Sequence, residues 1–426
     1  MKTVKGAIIG IGTVGGGTYD LLTANHDKIL SSYGLDVQIK KVLDKDEQKL
    51  ANKVKPEQVC RSLDEILADE EISIVVEVMG GVEPAKTFIT KIMQSGKSVV
   101  TANKELISKQ WADLERVARE NGVGLYFEAS CVGGVPIIRT LNESLQGDNI
   151  KSIMGIINGT TNYILTKMTE EGMSYEEALA QAQQLGYAEF NPTADVDGYD
   201  AMYKLSILSS LAFHTCIPYT SIYREGITKV SQDDIAFGKN TGYKIKLLAI
   251  GKKKDNDVEV RVHPTLIAEN HPLASVSGAF NAVFLNGDFV DDVMLYGRGA
   301  GAYPTGSAIV SDVIYCALKT SHVYTDFEND GKVSEDINIV SDFESKYYVN
   351  LIVDDKPGVI ASISSVWGKN GVSIKFFNQS AFTQNDYVPI VIMTHTTNEN
   401  MVQKTLGEIA SLPCVREIRS VIRVID

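Results

Sequence analysis

Asp200 and Lys204 stand four positions apart, and from Ala201 to Phe213 Lys204 is the sole formally charged side chain. At helical spacing the two residues share a face. Two readings follow. An exposed ion pair would contribute about 0.3–0.5 kcal/mol. A lysine partly buried beside its carboxylate would instead be tuned for proton transfer, because a charge on an apolar helix is costly to bury unless paired. The stretch leading into this helix runs from Gly186-Tyr187-Ala188-Glu189 through Asp195 and Asp197. Asp197 reads as a helix N-cap with Asp200 as its acidic N3 residue. A second lysine, Lys104, closes Thr101-Ala102-Asn103-Lys104 at the end of a predicted strand, either as a group at a ligand-binding sheet edge or as an exposed helix-start residue. Glu128-Ala129-Ser130-Cys131-Val132-Gly133-Gly134-Val135 sets a carboxylate beside turn carbonyls, a donor set for a hard cation or a plain turn. With no base identifiable near it, Cys131 reads as a small buried hydrophobe rather than a nucleophile.

The elements that must position these groups begin with a β-rich run, Gly6–Ile9, followed by Gly10-Ile11-Gly12-Thr13-Val14-Gly15 and a helical pattern. Strand, glycine turn and helix in that order are what a dinucleotide site requires. Gly10 permits the tight turn, Gly12 lets the backbone approach a pyrophosphate, and Gly15 lets helix and strand pack closely. Further runs at 38–43, 72–79, 98–101 and 124–128 alternate with helical stretches at 85–94 and 105–120. This alternation predicts a doubly wound parallel sheet of the Rossmann type. At the end of the second strand stand Asp44, which favours NAD, and Lys45, which favours NADP, so the choice stays open. From 136 onward the texture becomes mixed α+β, with a helix at 136–146, a strand at 152–157, helices at 161–171, 175–185 and 200–213, and strands at 246–250 and 258–262. Gly297-Arg298-Gly299-Ala300-Gly301 reads as a second glycine-rich turn before a helix reaching Leu318. Residues 322–345 carry seven acids against one lysine and suit a linker. The remainder reads βαββαβ, a ferredoxin-like pattern with strands at 347–353, 372–380, 387–394 and 416–425 and helices at 358–369 and 400–411. The expected domains are 1–135 with a returning helix at about 303–321, then 136–302, a linker at 322–345, and 346–426.

Composition narrows the class. The chain has 426 residues, 44% hydrophobic and 22% charged, with 54 acids against 41 bases and a net charge of −13. That balance argues against nucleic-acid or anionic-membrane partners. The five cysteines are scattered and form no metal or disulfide pattern. No apolar run reaches the about 18 residues of a membrane span, and no signal peptide is evident. A reduced, cytoplasmic protein is expected.

Taken together, the glycine turn, Thr101–Lys104, Glu128–Ser130, Asn158-Gly159-Thr160-Thr161-Asn162, the Glu189-to-Lys204 stretch and Gly299-Ala300-Gly301 with Pro304-Thr305 resemble homoserine dehydrogenases, in order and spacing, as far as residue 320. The resemblance implies reversible NAD(P)-dependent interconversion of L-aspartate 4-semialdehyde and L-homoserine, on the route to threonine, methionine and isoleucine. It implies Lys204 as general acid/base, assisted by Lys104. Glu189 would hold the substrate ammonium, and Asp200 would bind substrate and orient Lys204, with Asp195, Gly159, Thr160 and Tyr187 as further substrate contacts. Gly10, Gly12, Thr13, Val14, Gly15, Lys45, Thr101, Lys104, Gly186 and Gly301 would contact the NAD or NADP. Glu128 with the carbonyls of Cys131, Gly133 and Val135 would hold a structural sodium ion. Four positions depart from the family habit. Cys131-Val132 stand for Val-Ala, Arg298 for Pro, and Asp44 for an apolar residue. The tail opening Leu351-Ile352-Val353-Asp354-Asp355-Lys356-Pro357-Gly358 resembles an ACT domain, a module that binds small amino acids and pairs with another copy. It implies threonine as an effector and a homodimer or homotetramer.

Overall fold

Six strands build the first sheet: β1 (Lys2–Ile9), β2 (Leu35–Leu43), β3 (Val59–Cys60), β4 (Ile72–Glu77), β5 (Ser98–Thr101) and β6 (Leu125–Tyr126). All pairs are parallel, in the order β3-β2-β1-β4-β5-β6. The order reverses between β1 and β4, which is where an open α/β sheet takes its ligand, beyond the carboxyl ends of the strands. Register places four strand ends at that edge: Ile9 pairs with Leu43 on one side and Glu77 on the other, and Glu77 pairs with Thr101. The strands read as near-continuous apolar runs because both faces are covered, and Ala7, Ile8, Val42, Val75, Val99 and Val100 have no exposed surface. Each such valine or isoleucine side chain contributes about 1.5–3 kcal/mol by leaving water.

The computed structural model describes residues 1–322, 324–325, 331–379 and 386–426. Part of the expected linker, and Ser380 at the end of an expected strand, lie outside them. The described chain divides into two units, the first formed by Met1–Gly159, Asp200–Ile222 and Phe280–Ile337, the second by Thr160–Tyr199, Tyr223–Ala279 and Asn338–Asp426.

Within the first unit, helix Ala302–Leu318 returns to pack on helix Thr13–Ala24. Glycine permits the contact: a Cβ on Gly17 would stand 2.3 Å from the carbonyl oxygen of Ala302. An antiparallel run of Asp292–Arg298, Phe280–Gly287 and Ile150–Ile156 completes this unit. Gly297 and Arg298 therefore end a strand rather than open the glycine-rich turn, which is confined to Gly299–Gly301. The helix expected at 136–146 is also corrected. It is an α turn, Ile137–Arg139, followed by a π turn, Thr140–Ser144. The Thr140 hydroxyl donates to the Pro136 carbonyl at 2.6 Å, competing with the helical ladder.

The second unit holds the long antiparallel pair Tyr243–Lys254 and Asp257–Ala268. Its last part is strand Glu344–Asp354, helix Val359–Lys369, strands Ile374–Gln379 and Tyr387–Thr394, helix Glu399–Ala410 and strand Val415–Ile425, the expected βαββαβ. Tyr347, Val349, Leu351, Val353, Ile363, Trp367, Ile390 and Ile409 form its core. Its last strand pairs parallel with Asp257–Ala268 through Thr265–Arg423, Leu266–Val424 and Ile267–Ile425. Two described parts of 322–345 make contacts of their own. Within the first unit Ser334 N–H donates to the Thr215 hydroxyl at 2.8 Å, and within the second Asn338–Ile339 pairs with Asp257–Val258.

Candidate active site

Helix Tyr199–Phe213 is buried along nearly its whole length, so its only two charges, Asp200 and Lys204, are carried inside. Lys204 Nζ donates to Asp200 Oδ2 at 2.7 Å and to the Ile157 carbonyl at 2.8 Å, with the lysine side chain 10% exposed. Asn158 Nδ2 donates to the same carboxylate oxygen at 2.9 Å, and Lys104 Nζ lies 3.1 Å from the other oxygen. One carboxylate therefore binds two ammonium groups. Burial alone would raise the Asp200 carboxyl, but the charges of Lys204 and Lys104 and the hydrogen bonds from Lys204 and Asn158 outweigh it and hold it well below the carboxylate range. The exposed-pair reading of Asp200 and Lys204 is thereby excluded. Two of the three Lys204 N–H bonds are spent on fixing its position.

The helix does not start as the sequence suggested. Asp197 is not an N-cap. It closes helix Thr193–Val196, donating its N–H to the Thr193 carbonyl at 3.1 Å, and left-handed Gly198 (φ 82) separates the two helices. Asp200 falls in the first turn of its helix.

Lys104 opens helix Lys104–Glu120 and is 41% exposed. Its position is set by buried residues, of which the sequence reading gave a role to Thr101 alone. Thr101 Oγ1 donates to Glu77 Oε2 at 2.7 Å and accepts the Asn103 N–H at 3.0 Å. Asn103 then caps the helix through Leu106 N at 3.1 Å and donates to the Gly81 carbonyl at 2.6 Å. The available signal was an acid, Glu77, ending an otherwise apolar strand. Burial raises its carboxyl above the usual range.

The glycine turn lies at the same sheet edge. Gly10 has φ 99, and a Cβ on Gly15 would stand 1.9 Å from the Gly10 carbonyl oxygen, whereas one on Gly12 would meet nothing within 4 Å. The turn is thus closed at Gly10 and Gly15 and open at Gly12, where Thr13 and Val14 begin the helix. That shape fits a dinucleotide pyrophosphate on free helix N–H groups. Asp44 accepts the Ile11 N–H at 2.6 Å and the Asp46 N–H at 2.9 Å, which puts a carboxylate against the turn. Lys45 beside it is exposed.

Glu128 is buried, and its carboxylate accepts the N–H groups of Ile138 at 2.9 Å and Arg139 at 2.7 Å. Burial raises its carboxyl. Asp312, which accepts the Glu128 N–H at 2.9 Å, is pushed up to about 7 by burial and by Glu128. The chain then turns through Val132 (φ 54) and Gly133 (φ 48). Among the described residues no hydrogen bond reaches the carbonyls of Cys131 or Gly133, while that of Val135 accepts the Ile137 N–H. Burial pushes the Cys131 thiol up to about 12, which leaves it inert. This turn abuts Gly299–Gly301: Gly134 N–H donates to the Arg298 carbonyl at 3.0 Å, and a Cβ on Gly133 would lie 2.4 Å from the Gly299 oxygen. The first unit thus gathers Lys104, Asp200, Lys204, Asn158 and Cys131, whose Sγ reaches the Lys204 carbonyl at 3.9 Å.

Gly186, Tyr187, Glu189 and Asp195 belong to the second unit, as does Thr160; Gly159 ends the first segment of the first unit. Thr160 Oγ1 donates to the Tyr187 carbonyl at 2.6 Å, which ties the start of helix Gly159–Glu171 to the 186–192 loop. Gly186 is left-handed (φ 75), and Glu189 is exposed.

Comparison with known proteins gives these groups a family. Residues 10–128 match the description "Homoserine dehydrogenase, NAD binding domain", residues 136–314 "Homoserine dehydrogenase", and residues 347–414 "ACT domain". A homoserine dehydrogenase of Synechocystis is 41% identical over 438 residues, covering all of both chains. The chain belongs to the homoserine dehydrogenase family. The crystal structure of a homoserine dehydrogenase from Thiobacillus denitrificans superimposes with a TM-score of 0.93 at 35% identity, covering 100% of this chain and 99% of that one. A hyperthermophilic archaeal homoserine dehydrogenase, solved in complex with NADPH, matches with a TM-score of 0.66 at 29% identity over 76% of this chain and 100% of its own. As a homoserine dehydrogenase, the protein is an NAD(P)-dependent oxidoreductase with a C-terminal ACT domain. No helix among the described residues is long and apolar enough to cross a membrane.

Proposed function

We propose that the chain reversibly reduces L-aspartate 4-semialdehyde to L-homoserine, with Lys204 as the general acid/base. The observation that carries this reading is Lys204 itself, a buried ammonium fixed by Asp200 Oδ2 and the Ile157 carbonyl. NAD or NADP, bound along Gly10–Gly15, Lys45, Thr101, Lys104, Gly186 and Gly301, supplies or accepts the hydride. In reduction Lys204 protonates the oxygen that becomes the hydroxyl, and in oxidation it takes that proton back. Asp200 keeps the ammonium in place and shares its charge with Lys104, which assists in positioning the substrate. Glu189 takes the substrate ammonium, with Asp195, Tyr187, Gly159 and Thr160 as further substrate contacts. The test is appearance of reduced nicotinamide on mixing the enzyme with L-homoserine and either cofactor. No signal with homoserine, but turnover of another amino alcohol, would move the assignment to a sister dehydrogenase.

Glu128 with the carbonyls of Cys131, Gly133 and Val135 is proposed to hold a sodium ion, supported by the buried carboxylate and the two carbonyls without hydrogen bonds. Sodium should then raise thermal stability and Glu128→Gln abolish the effect. The ACT domain is proposed to take threonine near Lys356-Pro357-Gly358 and to join a second copy, giving a homodimer or homotetramer in the cytoplasm. The domain limits 1–135 with 303–321, 136–302 and 346–426 are proposed on the strength of the three family matches.

A further inference from the structure

Helix Lys104–Glu120 begins with the lysine that shares Asp200, and that contact alone does not fix where the helix stands. Lys104 is 41% exposed, and an ion pair open to water contributes little. A second lysine on the same helix meets the same partner helix. Lys109 Nζ lies 5.1 Å from the centre of the Tyr203 ring and 5.6 Å from that of Tyr219, both within cation–π range. Its ammonium also pairs with Glu105 Oε1 at 2.6 Å, one turn earlier. The Lys109 side chain is 24% exposed, so its contacts are screened less than the Lys104 pair. Burial alone would lower its ammonium, but hydrogen bonding to Glu105 and Tyr203 outweighs this and raises it, which keeps it cationic.

The rings that receive it are themselves held. Tyr203 stands immediately before Lys204 on helix Tyr199–Phe213 and meets Tyr219 edge to face, with ring centres 5.5 Å apart. Tyr219 opens the short turn Tyr219–Ser221 in the segment that follows the helix. Two buried hydrogen bonds tie that segment back. The Ser206 hydroxyl donates to the Ile217 carbonyl at 2.6 Å, and the Ile217 N–H donates to the Ser210 hydroxyl at 2.9 Å. Lys109 comes five residues after Lys104, about 7.5 Å along its helix, and Tyr203 three after Asp200, about 4.5 Å along the other. The two helices thus touch at two levels, Lys104 on Asp200 and Lys109 on Tyr203 and Tyr219. All of these residues belong to the first unit.

We propose that Lys109 is a positioning residue. Held on the Tyr203 and Tyr219 rings, it fixes the start of helix Lys104–Glu120 against the Asp200–Lys204 helix and so sets the reach of Lys104 to Asp200. This rests on the reading that Lys104 assists at the substrate. With Lys109 in place, Lys104 has only its own side chain to order. Without it, the helix start must be ordered as well, and that entropy is lost from each productive encounter.

The test is a double-mutant cycle on the full chain, read as kcat and KM for L-homoserine oxidation with saturating cofactor. Lys109→Met keeps the apolar stem and removes the charge. It should stay folded and lower kcat/KM about 10-fold. Lys109→Arg, whose guanidinium stacks on the same rings, should restore most of the loss. Tyr219→Leu, which removes a ring from the other side, should reproduce it. In a Lys104→Ala background, Lys109→Met should change kcat/KM by less than about twofold, because the group it positions is gone. A full 10-fold loss in that background would mean that Lys109 only supports the fold, and would overturn the proposal. So would wild-type kcat/KM in Lys109→Met while Lys104→Ala is impaired. If Lys104→Ala itself matches the wild type, the role given to Lys104 fails, and the role of Lys109 fails with it.

Discussion

Asp200→Asn removes the single negative charge that holds two ammonium groups, and its effect can be worked from the distances. At an effective dielectric of about 20 the Asp200–Lys204 contact of 2.7 Å represents about 6 kcal/mol of gross attraction, and the Lys104 contact of 3.1 Å about 5. Desolvation cancels much of this, and breaking a buried pair by removing one partner typically costs about 3–5 kcal/mol. Lys104 is 41% exposed, so water screens its share. Lys204 is not, so it bears the cost of losing its partner. About 3 kcal/mol lost from the hold on the general acid corresponds, at 1.36 kcal/mol per tenfold in rate, to a fall in kcat of about 100-fold. The fall should appear in semialdehyde reduction and in homoserine oxidation alike, because the same group moves the proton in both. The assay is kcat/KM in both directions with saturating cofactor. Rates within about twofold of the wild type would mean that the pair is solvated and that its charge does not govern Lys204.

Gly12 and Gly15 should part company. Gly12→Ala places its methyl in open space, so the fold should be kept while cofactor affinity falls. Gly15→Ala drives a Cβ to 1.9 Å from the Gly10 oxygen and should cost about 1–3 kcal/mol of stability as well; melting temperature and cofactor titration read the two effects. Asp44 places a carboxylate beside the turn that would meet a 2′-phosphate, so Asp44→Ser should shift the ratio of kcat/KM toward NADP, and an unchanged ratio would remove Asp44 from cofactor choice. Burial lowers Lys246, which donates to the Val276 carbonyl at 2.6 Å, to about 8. An unfolded lysine titrates near 10.4, so between about pH 8 and 10.4 the unfolded chain binds more protons and stability should rise with pH, by up to about 3 kcal/mol. The difference in urea midpoint between wild type and Lys246→Met should show that slope, and parallel curves would contradict it.

Much of this was legible because local rules sufficed. Helix Ala85–Gln94 follows from its apolar periodicity, and the glycine turn from its place between a strand and a helix. The Asp200–Lys204 pair was visible, but its burial was not, since a lone charge on an apolar helix looks alike whether solvated or enclosed. Asp197 was misread as a cap because Gly198, which breaks the chain between two helices, carries no side-chain signal of its own. β3, two residues long, has no periodicity to detect. Glu77, Asn103 and Asn158 were given no role of their own for a different reason. Each acts through partners that only the parallel register or the helix packing brings close. The same holds for Lys109, whose partners Tyr203 and Tyr219 are distant in sequence.

The central claim is that Lys204 moves the proton. Lys204→Ala, loaded with reduced cofactor and mixed with L-aspartate 4-semialdehyde in a single-turnover experiment, tests it most directly. The account predicts cofactor binding like that of the wild type and a reduction step slower by about 10²–10⁴-fold. A near-normal step with cofactor bound would contradict it.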